Sequence, residues 1–205
     1  MGDTFNGLTD RYEEWFVKNR ELFESELALL RETIPPFIEG LEIGVGTGIF
    51  AEALGLSHGV DPSEEMAIKA VERGVIVVPG KGEKLPFPKD SFDLIVMITV
   101  DCFLEDLGKT LEEAYRVLST GGFIVIGFID KATPLGKVYE SKKAHNEFYS
   151  HANFHSGVEI TEALEKAEFE IKRKGQTIFS LENELQESRP GLGQGLFGVV
   201  LGEKI

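Results

Sequence analysis

The sequence predicts an α/β fold, a largely parallel sheet with helices on both faces. Three observations carry this. Between residues 37 and 129, short apolar or β-branched runs alternate with helix-like stretches. A glycine-rich turn, Glu42 to Gly48, joins the first such run to its helix. After Asp130 the rhythm breaks, and the last two strand-like runs are joined without a helix, which favours antiparallel pairing.

The elements follow in order. Residues 10–33 read as one helix, because Phe23, Leu27, Leu30 and Ile34 form a single apolar stripe that Pro35-Pro36 closes. Residues 37–43 read as a strand, 47–54 as a helix and 58–61 as a short strand. Ser63 has the character of an N-cap, with Glu64 and Glu65 in the first turn and Gly74 at the end. Residues 75–78, β-branched throughout, read as a buried strand, and so do 92–98. Leu107, Leu111, Ala114 and Leu118 mark the next helix, and 123–129 a fifth strand. An amphipathic helix or two is expected over 135–152 and a further helix over 157–167. Strands over 169–179 and 196–201, with a Gly-rich polar loop between them, complete the chain.

The 205 residues carry 21 Lys+Arg against 35 Asp+Glu, a formal net charge of −14. That balance makes nucleic acid an unlikely partner, since phosphate neutralisation needs clustered cations. No apolar run approaches the ~20 residues a bilayer span requires. Residues 1–7 lack a cationic segment followed by an apolar one, and Asn6 misses the Ser/Thr of a myristoylation pattern. The single cysteine, Cys102, excludes an internal disulfide and a cysteine-rich zinc site. A cytoplasmic location is expected.

The glycine loop is the most informative stretch. Glycines at a strand-to-helix turn let the backbone approach a ligand, and the helix start offers free N–H groups. Asp61 ends the second strand, where an acid can accept from both ribose hydroxyls; capping the helix that begins near Ser63 is the alternative. The loop lacks the Gly-Lys-Ser/Thr of a phosphate-binding loop, and Ile49 stands where the dinucleotide fingerprint needs Gly or Ala. S-adenosylmethionine (SAM) carries adenosine without phosphate. Glu42 suits its cationic methionine end and would be awkward beside a pyrophosphate.

Residues 42–48, 59–63, 80–87, 91–96 and 116–122 together resemble the ordered motifs of the class I SAM-dependent methyltransferases, particularly the small ubiquinone-biosynthesis-like group. The resemblance runs from about Gly40 to Val125. It implies a Rossmann-like sheet of seven strands, mostly parallel with an antiparallel last strand. It implies SAM as cofactor, held by Glu42, Gly44, Gly46, Gly48, Asp61, Pro62, Met66, Gly82, Glu83 and Thr99. Lys81 stands where the family usually carries Asp beside the adenine amino group. A lysine cannot accept that hydrogen bond, which leaves Glu83 or water as the partner of the amino group. Thr120 replaces a common proline.

A single domain over 1–205 is therefore expected. Residues 1–36 form an N-terminal helical cover, 37–130 the SAM-binding core, 131–156 an acceptor-side helical insertion and 157–205 the C-terminal helix and strand hairpin. Methyl transfer is an in-line displacement on an activated donor, so it needs alignment more than a fixed catalytic group. An amine acceptor needs no general base once neutral, whereas a hydroxyl does. No Asn/Asp-Pro-Pro-Tyr/Phe motif follows the fourth strand, where the sequence is Thr99-Val100-Asp101-Cys102-Phe103. Tyr12, Trp15, Phe16, Asp101, Phe103 and Tyr149 are the acceptor-side candidates, and His145 and His151 the candidate bases. No metal site is expected. The reading is methyl transfer to a small molecule, with an amine favoured by the acidic surface. A non-catalytic SAM-binding module or partner subunit is the alternative, and a nicotinamide-dependent oxidoreductase a weaker one.

Overall fold

The structure is a computed structural model that describes residues 7–205, so the expectations for residues 1–6 lie outside it. The chain opens with α1 (Thr9–Lys18) and α2 (Arg20–Thr33). These replace the single helix expected over 10–33. Asn19 separates them: its backbone leaves the helical region (φ −117°, ψ 41°), and its side-chain amide donates to Trp15 O at 2.9 Å.

The core then alternates: β1 (Gly40–Ile43), α3 (Ile49–Leu54), β2 (His58–Asp61), α4 (Glu64–Glu72), β3 (Ile76–Pro79), β4 (Phe92–Ile98), α5 (Leu107–Val117) and β5 (Leu118–Ile129). The second half adds α6 (Pro134–Lys142), α7 (Gly157–Lys166), β6 (Phe169–Thr177), β7 (Arg189–Pro190) and β8 (Phe197–Lys204). Side chains cap several helices, Ser63 among them as the sequence places it. Ser63 accepts from Met66 N, and Ser156 with Glu159 forms a capping box on α7.

All strands join one sheet in the order β3-β2-β1-β4-β5-β8-β6-β7. β1 to β5 run parallel, and β8 is antiparallel to both β5 and β6. The sheet has eight strands, not seven. The extra one is the two-residue β7, paired antiparallel to β6 through Gly175–Pro190 and Gln176–Arg189. Gln176 explains it: this buried amide accepts from Gln194 N and Gly195 N, both at 2.8 Å, and folds the polar loop back onto β6.

β3 was expected to be buried. It is the edge strand, with Ile76 58% exposed, because only β2 pairs with it. The buried strands alternate. On β4, Leu94, Val96 and Ile98 face Leu27, Leu30 and Phe50 from α2 and α3. Ile95 and Met97 face Leu111, Ala114, Ile160 and Leu164 from α5 and α7. Between β1 and β4 the strand order reverses, which opens a crevice at the carboxyl ends of the strands.

Candidate functional site

The crevice is a cavity of about 550 Å³, a size that suits a small organic ligand. Its floor is the glycine loop and the ends of β2 and β4. Gly44 and Gly46 are in the left-handed region at φ +73° and +51°. A Cβ on Gly44 would meet Val100 Cγ2 at 2.3 Å, so that position is closed to any side chain. A Cβ on Gly46 would meet nothing within 4 Å and would stand in the cavity. Gly46 is bare where a ligand can lie against backbone.

Asp61 organises this floor. Its Oδ2 accepts from Gly46 N at 2.8 Å and its Oδ1 from Ser63 N at 2.8 Å. The carboxylate braces the loop and the start of α4, and each oxygen keeps one lone pair. Burial pushes its pKa up, and the two N–H donors counter that. Arg73 steadies the loop from behind. It donates to Thr47 O at 2.9 Å and pairs with Glu52 at 3.1 Å and Glu13 at 2.5 Å, tying α3 and α1 together.

Pro62, Met66 and Thr99 also line the cavity. Thr99 has φ +50°, an unfavourable state for a β-branched residue, held by its N–H to Gly127 O at 2.7 Å. Glu42 lies beneath the loop, 2% exposed, with Oε2 lacking any partner among the described residues. Burial, then the neighbouring Asp61, hold its pKa well above the carboxylate range. An orphaned buried acceptor beside a loop that exposes backbone fits a ligand with a cationic group.

Four cofactor candidates stand apart from the cavity lining, the first being Glu42 beneath the loop. Gly48 packs against α4, where a Cβ would meet Ala70 Cβ at 2.8 Å. Gly82 is packed against Thr110 and Ile43. Glu83 Oε1 accepts from Glu105 N at 2.9 Å and Asp106 N at 3.4 Å, so it closes the turn before α5. Lys81 points outward to Glu105 at 2.6 Å.

The roof is aromatic. Tyr12, Trp15 and Phe16 from α1, Phe103, and Tyr149 all line the cavity. Phe103 and Tyr149 stack with centroids 6.0 Å apart, while Tyr12 meets Phe148 edge-on at 6.0 Å. Of the histidine candidates, His145 reaches the cavity and His151 does not. Asn146 Oδ1 accepts from Phe148 N and Tyr149 N, which turns both rings inward, and Ala152 and Phe154 are buried after them. His151, between these anchors, is left exposed. Asp101 is also absent from the cavity. It is 2% exposed and pairs with His155 Nδ1 at 2.9 Å, fixing the 146–156 segment to the end of β4.

Sequence reasoning missed Phe50, Glu26, Tyr139, Phe148, Leu196 and Phe197 as lining residues. Glu26 left a signal: it shares a helical face with Leu22, Phe23, Leu29 and Leu30, an acid on an apolar stripe. Burial raises its pKa to about 8, and no cation offsets that cost.

Comparison with known proteins agrees with this geometry. Residues 41–126 match the methyltransferase domain family. The chain is 42% identical over 205 residues to an uncharacterized protein of Methanocaldococcus jannaschii, covering 99% of this chain and all of that one. A crystal structure from Thermotoga maritima, a SAM-dependent methyltransferase described as a possible histamine N-methyltransferase, is 39% identical and covers both chains fully, with a TM-score of 0.96. A Mycobacterium tuberculosis protein is 35% identical over 171 residues, which span 82% of this chain and 60% of that one.

Proposed function

Because this chain belongs to the class I SAM-dependent methyltransferases, we propose that it methylates a small molecule at an amine nitrogen. SAM is its cofactor and supplies an electrophilic methyl group. In this reading Gly44 and Gly46 present backbone to the cofactor, Asp61 accepts from its ribose, and Pro62, Met66 and Thr99 border it. Glu42, buried beneath the loop with an oxygen unpartnered among the described residues, offers the cationic end a hydrogen-bonding neighbour.

The observation that carries the amine reading is the cavity lining: Glu26, Asp61 and Glu147 with nine Phe, Tyr or Trp rings around them, and no Lys or Arg among the described residues. Acids and aromatic faces favour a cationic guest, and an anionic acceptor would find no counter-charge. The kinship with the Thermotoga maritima enzyme supports the same direction. Among the described residues no helix is long and apolar enough to cross a membrane. With one free cysteine, a reducing cytoplasm is the compartment we favour.

The chain's part in the reaction is positional. The rings exclude water, the loop fixes the cofactor, and the acceptor nitrogen is held in line with the methyl carbon. The test is calorimetric titration with SAM, S-adenosylhomocysteine and NAD, followed by methyl transfer from labelled SAM to a panel of amines, phenols and carboxylic acids. Binding of SAM and its product, with label on amines alone, is expected. Label only on the oxygen acceptors would overturn the amine reading.

A further inference from the structure

We propose that Glu26 recognises the ammonium group of the acceptor and takes its proton, which narrows the acceptor to an arylalkyl ammonium compound; this rests on the amine reading above. Glu26 stands on α2 inside the cavity, opposite the aromatic roof. Tyr12 from α1, Tyr139 from α6 and Tyr149 from the following turn all feel its charge. The other acids at the cavity are engaged: Asp61 by two backbone N–H groups and Glu147 by Arg11. Among the described residues His145 is the remaining titratable group on the wall, and Glu42, outside the lining, acts on Tyr12 through its charge. The elements packed on α2 add no cation: α3 contributes Phe50 and β8 contributes Phe197, while Arg173 of β6 engages Glu32.

Glu26 is therefore the one lining carboxylate with no hydrogen-bond or ion-pair partner among the described residues, set in a chamber of rings. A cation over aromatic faces is stabilised, and a paired acid adds direction. The rings select an acceptor that carries its own aromatic or apolar body.

The free carboxyl, with its pKa near 8, is mostly protonated at pH 7. Entry of an ammonium ion expels that proton to solvent and forms the pair. Within the pair the carboxylate takes a proton from nitrogen, leaving a neutral amine with its lone pair. That pair forms the N–CH3 bond as the S–CH3 bond breaks, its electrons passing to sulfur and the positive charge from sulfur to nitrogen. Glu26 ends protonated, as it began, so the proton expelled on entry is the one that appears per turnover.

A permanently charged probe separates recognition from acceptor ionisation. We would titrate the protein, saturated with S-adenosylhomocysteine, with trimethyl(2-phenylethyl)ammonium from pH 6 to 9, in buffers of different ionisation enthalpy. Wild type should bind about tenfold tighter per pH unit up to about 8 and release close to one proton at pH 7. Glu26→Gln, nearly isosteric, should bind more than tenfold weaker at pH 8, without pH dependence or proton release. Its affinity for S-adenosylhomocysteine reports that it folds, and Glu26→Asp should restore the proton release.

In turnover with 2-phenylethylamine, wild-type kcat/KM should rise through about pH 8 and fall above the amine's own pKa. The Gln variant should rise to that pKa and stay level. Equal affinity and equal pH profiles for the two proteins would overturn the role of Glu26 while leaving the amine reading standing. Neither binding of the cation nor methylation of the amine by wild type would overturn both.

Discussion

Replacing Asp61 by alanine tests how one carboxylate serves both loop and ligand. In the folded protein its oxygens accept from Gly46 N and Ser63 N, each at 2.8 Å. One lone pair per oxygen remains for the ribose. Losing charge-assisted bonds of this kind costs ~1.5–3 kcal/mol, which is roughly 10- to 150-fold in Kd for S-adenosylhomocysteine. Stability should fall separately. The Ser63 N–H is buried and becomes orphaned, at about 1–3 kcal/mol, whereas Gly46 is partly exposed and water can replace the lost acceptor. Titration calorimetry measures the first effect and urea unfolding the second. The 2′-deoxy form of the ligand separates them further. It should bind wild type more weakly than the parent ligand, but Asp61→Ala equally well. An unchanged Kd in the variant, or a deoxy penalty that persists in it, would refute the ribose assignment.

Three other expectations follow from the geometry. Gly46→Val forces a β-branched residue to φ +51° and puts its side chain into the cavity; the strain is about 1–3 kcal/mol, and calorimetry should show cofactor binding lost from a folded protein, whereas retained binding contradicts the loop assignment. His155→Ala strips the partner from the 2%-exposed Asp101, so urea unfolding should show a loss of about 1–3 kcal/mol and hydrogen exchange should quicken in residues 146–156; unchanged exchange would dissociate the pair from that segment. Glu26 has a folded pKa of about 8 against an ordinary 4.5, so the native state keeps a proton that the unfolded chain gives up. Its contribution is fully present below pH 4.5 and is lost as pH rises through 8, with a slope of up to ~1.4 kcal/mol per pH unit. Glu26→Gln should flatten the stability profile between pH 5 and 8, and parallel profiles would place the carboxyl in solvent.

Local chemistry wrote part of this protein into its sequence. β2, β4, the Ser63 cap and the glycine loop stand where the sequence places them, because strand alternation, capping and left-handed glycine are short-range properties. The helix-free link between the last long strands predicted their antiparallel pairing. The break at Asn19 was less legible, since the apolar stripe runs on and a side-chain bond to Trp15 ends α1.

Tertiary structure decided what a residue faces. Val77 and Val78 read as core, yet sheet order leaves β3 at the edge with a single neighbour. Glu83 and Asp101 carry the right chemistry for a ligand, but backbone N–H groups and His155 claim them. His145 and His151 are six residues apart, and the inward turn at Asn146 brings only the first to the cavity. Glu26 reads as one more acid on a helix until α1, α6 and the 146–156 segment close rings over it. The sequence by itself determined the sheet, the loop and the cofactor class, because these rest on period, turn and motif. The acceptor chamber came only from the assembled chain, because it is built from side chains more than a hundred residues apart.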